Sequence, residues 1–255
     1  MRRTLSVERR SHPCAAQATT NPWERDGGPK RVVWILGRQH PGETQASWWM
    51  EGFVSRLLGT EDPAGRKLLR RAVVYVVPNM NPDGAARGHL RTNAAGANLN
   101  REWGAPTPER SPEVLWTRNA MDATGPVDVM LDAHGDEAEP YCFIIGGEQQ
   151  GPAYDARRRA VQKRFKQAYA RACPDFQDTF PLEYASAPVG NVITAKTQVS
   201  HRFNCVGMTL EMPFKDNVQL AQPDGWTPKR CSKLGAAAVD ALLDVLPVLR
   251  DETHK

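Results

Sequence analysis

Two side chains able to bind a metal stand three positions apart in Arg38-Gln39-His40-Pro41-Gly42-Glu43-Thr44. An imidazole and a carboxylate so spaced, at a turn where a strand becomes a helix, can point at one object. A third such group, His134, follows the apolar run that ends Leu131-Asp132-Ala133. Zinc favours imidazole nitrogen and carboxylate oxygen, and a catalytic zinc keeps a fourth position open. His40, Glu43 and His134 are therefore candidate ligands of one Zn2+ per chain. The HxxE spacing alone has a plainer reading, a loop histidine beside a first-turn glutamate favoured by the helix dipole. Asp132 could hold an imidazole N–H as an outer partner, or face solvent at the strand end.

Two further groups carry chemistry. Arg91, in His89-Leu-Arg-Thr-Asn93, and Asn100-Arg101, in Asn98-Leu-Asn-Arg-Glu102, place two arginines in one polar loop. The planar guanidinium suits a carboxylate held bidentately, and an adjacent amide can share it; two surface arginines would look the same. Glu211 lies inside the apolar stretch Met208-Thr-Leu-Glu-Met-Pro213. Burial opposes its charge, so it needs an ion-pair partner or a task such as general base.

The elements that must position these groups are readable from pattern. Arg31–Gly37, Arg71–Val77 and Val127–Ala133 are near-continuous apolar runs and predict buried strands, with further strands at Tyr141–Ile145 and Val206–Met212. A short strand at Thr4–Val7 is also allowed. The spacing of Ala46, Trp49, Met50, Phe53, Val54, Leu57 and Leu58 predicts one helix over Thr44–Leu58, with Trp48 off its stripe. Other helices are expected from Ser111 to about Ala123, over 153–172 with Ala160, Phe165, Ala168 and Tyr169 inward, and over about Lys229–Leu246. Asp62-Pro63 reads as a turn, 79–108 as a long polar loop of the kind that is more often functional than idle, and 173–191 as loop-rich. Strands alternating with helices indicate an α/β/α sandwich with a mixed, mostly parallel central sheet. His40 and His134 both follow strands, which puts both at one sheet edge, where such folds place their sites.

Composition sets outer limits. The chain has 255 residues, 40% hydrophobic and 24% charged, enough for one sizeable domain. Its net charge of +4 is held within residues 1–31, which carry seven Lys/Arg against three acidic residues. A basic tail of that kind is usually solvated, and residues 1–30 read as loop or partly disordered, ahead of a domain at 31–250; no nucleic-acid partner is indicated. Five scattered cysteines without a CxxC spacing argue against a disulfide scaffold and fit a reducing compartment. No apolar run approaches the roughly 18–20 residues that span a bilayer, and the N-terminus lacks a secretory apolar core. Cytoplasmic location without a membrane partner is the expectation.

Taken in order, His40-Pro-Gly-Glu43, Arg91, Asn100-Arg101, His134 and Glu211 resemble the zinc metallocarboxypeptidases. The form of the motifs is most similar to the cytosolic carboxypeptidase-like (Nna1-like, deglutamylase) subfamily of bacterial type. Asn79-Met-Asn-Pro-Asp-Gly84, Asn98-Leu-Asn-Arg-Glu-Trp103 and Thr209-Leu-Glu-Met-Pro-Phe214 carry that likeness, which covers roughly residues 30–250. The resemblance implies a peptide or protein C-terminus as substrate, with an acidic terminal residue as a candidate. It implies zinc on His40, Glu43 and His134, a carboxylate clamp from Asn100 and Arg101, oxyanion stabilisation by Arg91, and Glu211 as general base to a zinc-activated water. Three departures accompany it. Tyr184 is the one candidate for the mobile tyrosine of many carboxypeptidases; about 30 residues stand where the subfamily usually carries a β-sandwich domain; and the basic residue that would favour glutamate is open among Lys196, His201 and Arg202. An N-acyl amino acid amidohydrolase of the aspartoacylase/succinylglutamate desuccinylase type shares HxxE, Asn-Arg and a later His. A non-catalytic peptide-binding module on the same fold is the alternative from another class.

Overall fold

The structure is a computed structural model and describes residues 29–147, 154–178, 193–218 and 225–250. Its centre is a five-stranded sheet of order β2-β1-β3-β5-β4, built from β1 (Arg31–Gly37), β2 (Ala72–Val77), β3 (Val129–Ala133), β4 (Phe143–Ile145) and β5 (Val206–Glu211). β1, β2, β3 and β5 pair in parallel, and β4 closes one edge antiparallel to β5. This is the mixed, mostly parallel sheet expected, and its inner strands read as unbroken apolar runs because both of their faces are covered.

Side chains alternate between two layers of helix. Val33, Ile35, Val129, Leu131, Met208 and Leu210 face α1 (Gln45–Leu58), α5 (Ala156–Ala172) and α7 (Pro228–Val245). Val32, Trp34, Leu36 and Met130 face α4 (Pro112–Thr124) and α6 (Ala195–Phe203), together with Leu99 and Trp103 of the polar loop. In α1 the apolar stripe is buried as its spacing demands, save Val54, which is half-buried, and Leu58 at its C-terminal end, and Trp48 stays 44% exposed. In α5, Phe165, Ala168 and Tyr169 are buried, but Ala160 is exposed and Val161 takes the inward place. The buried side of α5 runs through Arg158, Val161 and Phe165, at i, i+3 and i+7, and Ala160 falls outside it.

Three helices were not expected. Asp62-Pro63 does not merely turn the chain but opens α2 (Pro63–Arg71): the Asp62 carboxylate accepts the Ala64 and Gly65 amides, and Pro63 sits at the first helical position. Asn81 and Pro82 open α3 (Pro82–Arg87) the same way, and Gly88 ends it with a left-handed φ of 71°. The third is α6, nine residues long, whose buried set includes Lys196, Thr197 and Ser200, so it lacks an apolar stripe. The expected tail 1–30 (to residue 28), the Thr4–Val7 strand and Tyr184 lie outside the described residues.

Register fixes where chemistry can sit. Gly37 pairs with Ala133, and Ala133 with Leu210, so the three central strands finish on one line. His134 and Glu211 each come one residue past that line, and the His134 amide donates to the Leu210 carbonyl at 2.8 Å. No helix among the described residues is long and apolar enough to cross a membrane.

Candidate metal centre and its surroundings

The turn after β1 is tight. Arg38 has a left-handed φ of 62°, uncommon for a residue with a side chain. Its guanidinium donates to the Pro41 carbonyl at 2.7 Å and to Ser47 Oγ at 2.6 Å, which holds the turn shut. Four residues after Arg38, the Gly42 amide donates to the Leu90 carbonyl at 2.7 Å. A Cβ at Gly42 would lie 2.8 Å from that same oxygen, so glycine is the residue the crossing chain permits. His40 and Glu43 are thereby turned the same way, both almost fully buried.

They meet His134 at the end of β3. Glu43 Oε1 lies 2.5 Å from His40 Nδ1, and Glu43 Oε2 lies 2.8 Å from His134 Nδ1. The two Nδ1 atoms are 3.2 Å apart, and the three ligand atoms all fall within 4.8 Å of one another. The outer nitrogen of each ring has an acceptor of its own. His40 Nε2 is 2.9 Å from Asn98 Oδ1, and His134 Nε2 is 2.7 Å from Asp132 Oδ2. With each ring N–H used outward, each Nδ1 would be left to offer a lone pair inward to a metal.

The electrostatics match a cation. Burial works against a charged His134, yet Asp132 and Glu43 raise it well above the ordinary imidazole range. Burial would raise Glu43, but His134 and His40 hold it down to about 2. Two nitrogens and a carboxylate, buried, convergent and set among negative charge, fit a zinc ion by donor type and number. Here the structure brings together the three candidate ligands that the sequence pointed to.

The remaining expected residues surround this triad. Arg91 Nη1 lies 3.7 Å from Glu43 Oε1, with the side chain 41% exposed, so the guanidinium reaches the triad from the solvent side of Glu43. Arg101 follows in the short 3-10 turn Leu99–Arg101, and burial and the nearby Arg91 both lower its pKa. Asn100 is turned inward: its Oδ1 accepts the Ala195 amide at 2.8 Å, and its Nδ2 is 3.4 Å from His134 Nε2. It therefore ties the loop to the start of α6. Glu211 is partly buried and its Oε2 has no hydrogen-bond partner. Burial pushes its pKa up to about 8, with Glu43, Asp136 and Asp132 adding to the rise and His134 opposing it. A carboxyl so tuned can accept and return a proton near neutral pH.

Of the three basic candidates, Lys196 is buried at the start of α6, next to the Asn100 contact. Arg202 pairs on the surface with Asp122 at 2.6 Å, and His201 is exposed on the same helix. Asp132, half-expected as an outer partner, is one. Asn98 and Gln39 were not anticipated. The only sequence signal for Asn98 was its place in an Asn-rich loop, where Asn81, Asn93 and Asn98 each accept a backbone amide and so order the segment.

Comparisons with known proteins bear on the family and the fold. A family model described as zinc carboxypeptidase matches residues 5–232. The fold is similar to a metallo-carboxypeptidase from Pseudomonas aeruginosa in complex with (2-guanidinoethylmercapto)succinic acid, with a TM-score of 0.82 and 40% identity over 89% of this chain and 60% of that one. The chain is 47% identical over 228 residues to an uncharacterized protein of Zymomonas mobilis, spanning 87% of this chain and 59% of the relative. It is 32% identical over 238 residues to cytosolic carboxypeptidase 3 of Bos taurus, spanning 88% of this chain and 22% of the relative. The chain thus spans about six tenths of the length of these bacterial relatives.

Proposed function

The chain belongs to the zinc carboxypeptidase family, in its bacterial cytosolic-carboxypeptidase type, and on that premise we propose that it hydrolyses the C-terminal peptide bond of peptides or proteins. The observation that carries the reading is one of register. His134 and Glu211 both stand one residue past the line Gly37–Ala133–Leu210, which sets a proton acceptor with a vacant Oε2 beside the His40–Glu43–His134 triad. Zinc held by that triad supplies Lewis-acid polarisation and a source of hydroxide at neutral pH.

The chain's own residues do the rest. The Glu211 carboxylate, ionised beside a bound cation, takes a proton from the attacking water at its unpartnered Oε2 and returns it to the departing amine. Arg91, over Glu43, faces the scissile carbonyl and stabilises the negative charge that grows on its oxygen. Arg101 grips the terminal carboxylate, with Asn100, engaged by the Ala195 amide and facing His134, holding the loop behind it, and the closeness of Arg101 to Arg91 sets one end of the substrate against the reacting carbonyl. Lys196 is the candidate for an acidic preference, since it alone of the three basic residues is buried beside the Asn100 loop. The unit is the span 31–250, and a cytoplasmic setting is supported by four cysteines, Cys142, Cys173, Cys205 and Cys231, that are buried free thiols.

Zinc content and a substrate panel test the reading together. We expect about one zinc per chain and release of the last residue from peptides with a free C-terminus, with little cleavage of their C-terminal amides. Equal cleavage of the amides removes the Arg101 clamp. Preference for N-acyl amino acids over peptides moves the chain to amidohydrolase chemistry, and zinc binding without any turnover makes it a binding module.

A further inference from the structure

Gln39 is fully buried and joins three separate segments. The Trp103 indole N–H donates to its Oε1 at 2.9 Å. An amide whose oxygen is engaged in this way must direct its NH2 to the opposite side. That NH2 donates to Asp132 Oδ2 at 2.5 Å, and the same oxygen faces His134 Nε2 at 2.7 Å. The backbone is fixed as well: Asn81 Nδ2 donates to the Gln39 carbonyl at 3.0 Å, and the left-handed Arg38 immediately before it sets the direction of exit from β1.

Asp132 needs such a partner. It is fully buried, and its Oδ1 has no hydrogen bond. With His134 as its sole neighbour, the carboxylate could present either oxygen and let the imidazole swing with it. Gln39 selects Oδ2, and Trp103 selects which end of Gln39 does so. We propose that Gln39 is a positioning residue of the metal site, the middle of a relay Trp103–Gln39–Asp132–His134 that holds the His134 ring with Nδ1 toward Glu43. The inference rests on the zinc reading above and adds to it the residues that set ligand orientation. Outer partners of this kind typically govern metal affinity by 10–100-fold.

Competition with a chromophoric chelator measures the zinc dissociation constant for the unaltered chain, Gln39→Met, Trp103→Phe, Asp132→Asn and the Gln39→Met/Asp132→Asn pair. Methionine keeps the volume of glutamine and removes both hydrogen bonds. Gln39→Met is expected to weaken zinc about 10–100-fold and Trp103→Phe to weaken it less but in the same direction. In the Asp132→Asn background Gln39→Met should add under about twofold, because the relay is already broken. The d–d spectrum of the cobalt(II) form should broaden in Gln39→Met, which a loss of packing elsewhere would not cause. Unchanged zinc affinity in Gln39→Met, or a full additional loss in the Asp132→Asn background, overturns the relay while the unaltered chain still binds zinc. No zinc on the unaltered chain overturns the metal reading and the relay together. Should Gln39→Met fail to fold, Trp103→Phe decides: unchanged affinity there overturns the proposal.

Discussion

A hydrogen-bonded chain behind the sheet and the cluster at the sheet's edge treat their buried polar atoms in opposite ways. In the layer of α1, α5 and α7, the Trp49 indole N–H donates to the Tyr169 hydroxyl at 2.8 Å, and that hydroxyl donates to the Leu234 carbonyl at 2.8 Å. Every polar atom in that chain has its partner, Trp49 stacks on Phe53 at 5.4 Å, and the helices close over them. At the strand ends, Glu211 Oε2 and Asp132 Oδ1 are buried without partners, and Arg38 holds a left-handed φ. An unpaired buried oxygen costs about 1–3 kcal/mol and a strained residue about as much. The layer behind the sheet therefore supplies stability, and the edge spends part of it to keep donors and acceptors ready for a ligand.

Four measurements would sharpen or break that contrast. The largest effect is expected for Glu211→Gln: turnover should fall about 10²–10⁴-fold while zinc stays near one per chain. Full turnover in that variant would mean that the unsatisfied carboxyl has no chemical task. Next is Phe53→Ala in the satisfied layer, expected to cost about 3–5 kcal/mol in urea unfolding with zinc stoichiometry unchanged in the folded fraction. A variant that instead lost zinc without losing stability would erase the distinction between the two regions.

Third is a pH dependence. Glu211 ionises at about 8 in the folded, metal-free chain and near 4.3 when unfolded. Between those values the native state holds the extra proton, so its stability is full at the acid end and is lost as pH rises toward about 8. Melting temperature of the metal-free protein from pH 4.5 to 8.5 should show that fall, and Glu211→Gln should make it shallower, leaving above about pH 6.5 the part that the raised His134 contributes. A slope unchanged by the substitution assigns it to other groups. The smallest effect is expected at Arg202→Ala, which breaks the exposed pair with Asp122 and should change unfolding free energy by less than about 1 kcal/mol; catalysis-sized losses there would extend the site onto the outer face of α6.

The contrast also explains what the sequence made visible. β1, β3 and β5 are covered on both faces, so each had to be an apolar run, and the ligands that follow them stood out against it. The helix α6 was hidden because its inward residues include Lys196, Thr197 and Ser200, which answer to local contacts such as Ser200 Oγ with the Gly207 amide at 2.8 Å and not to an apolar stripe. α2 and α3 were hidden because only Gly65, Leu68 and Gly84 are buried in them. Of the site, the charged and imidazole groups were identifiable by type and order. Gln39 and Asn98 were not, since an uncharged amide acquires its meaning from the partners that folding brings to it.

The separation of the ligands along the chain sets a timetable. His40 and His134 are 94 residues apart, and at about 5–20 residues per second of synthesis the first waits roughly 5–20 seconds for the second to be made. Glu211 comes later still. Through that interval the growing chain carries only the local His40–Glu43 half of the triad, and the parallel ladder from β1 to β3 that would bring in His134 is among the slower pairings to form. On the zinc reading, metal capture by all three donors would be a late event in the life of each molecule, reserved for chains whose central strands have already found one another.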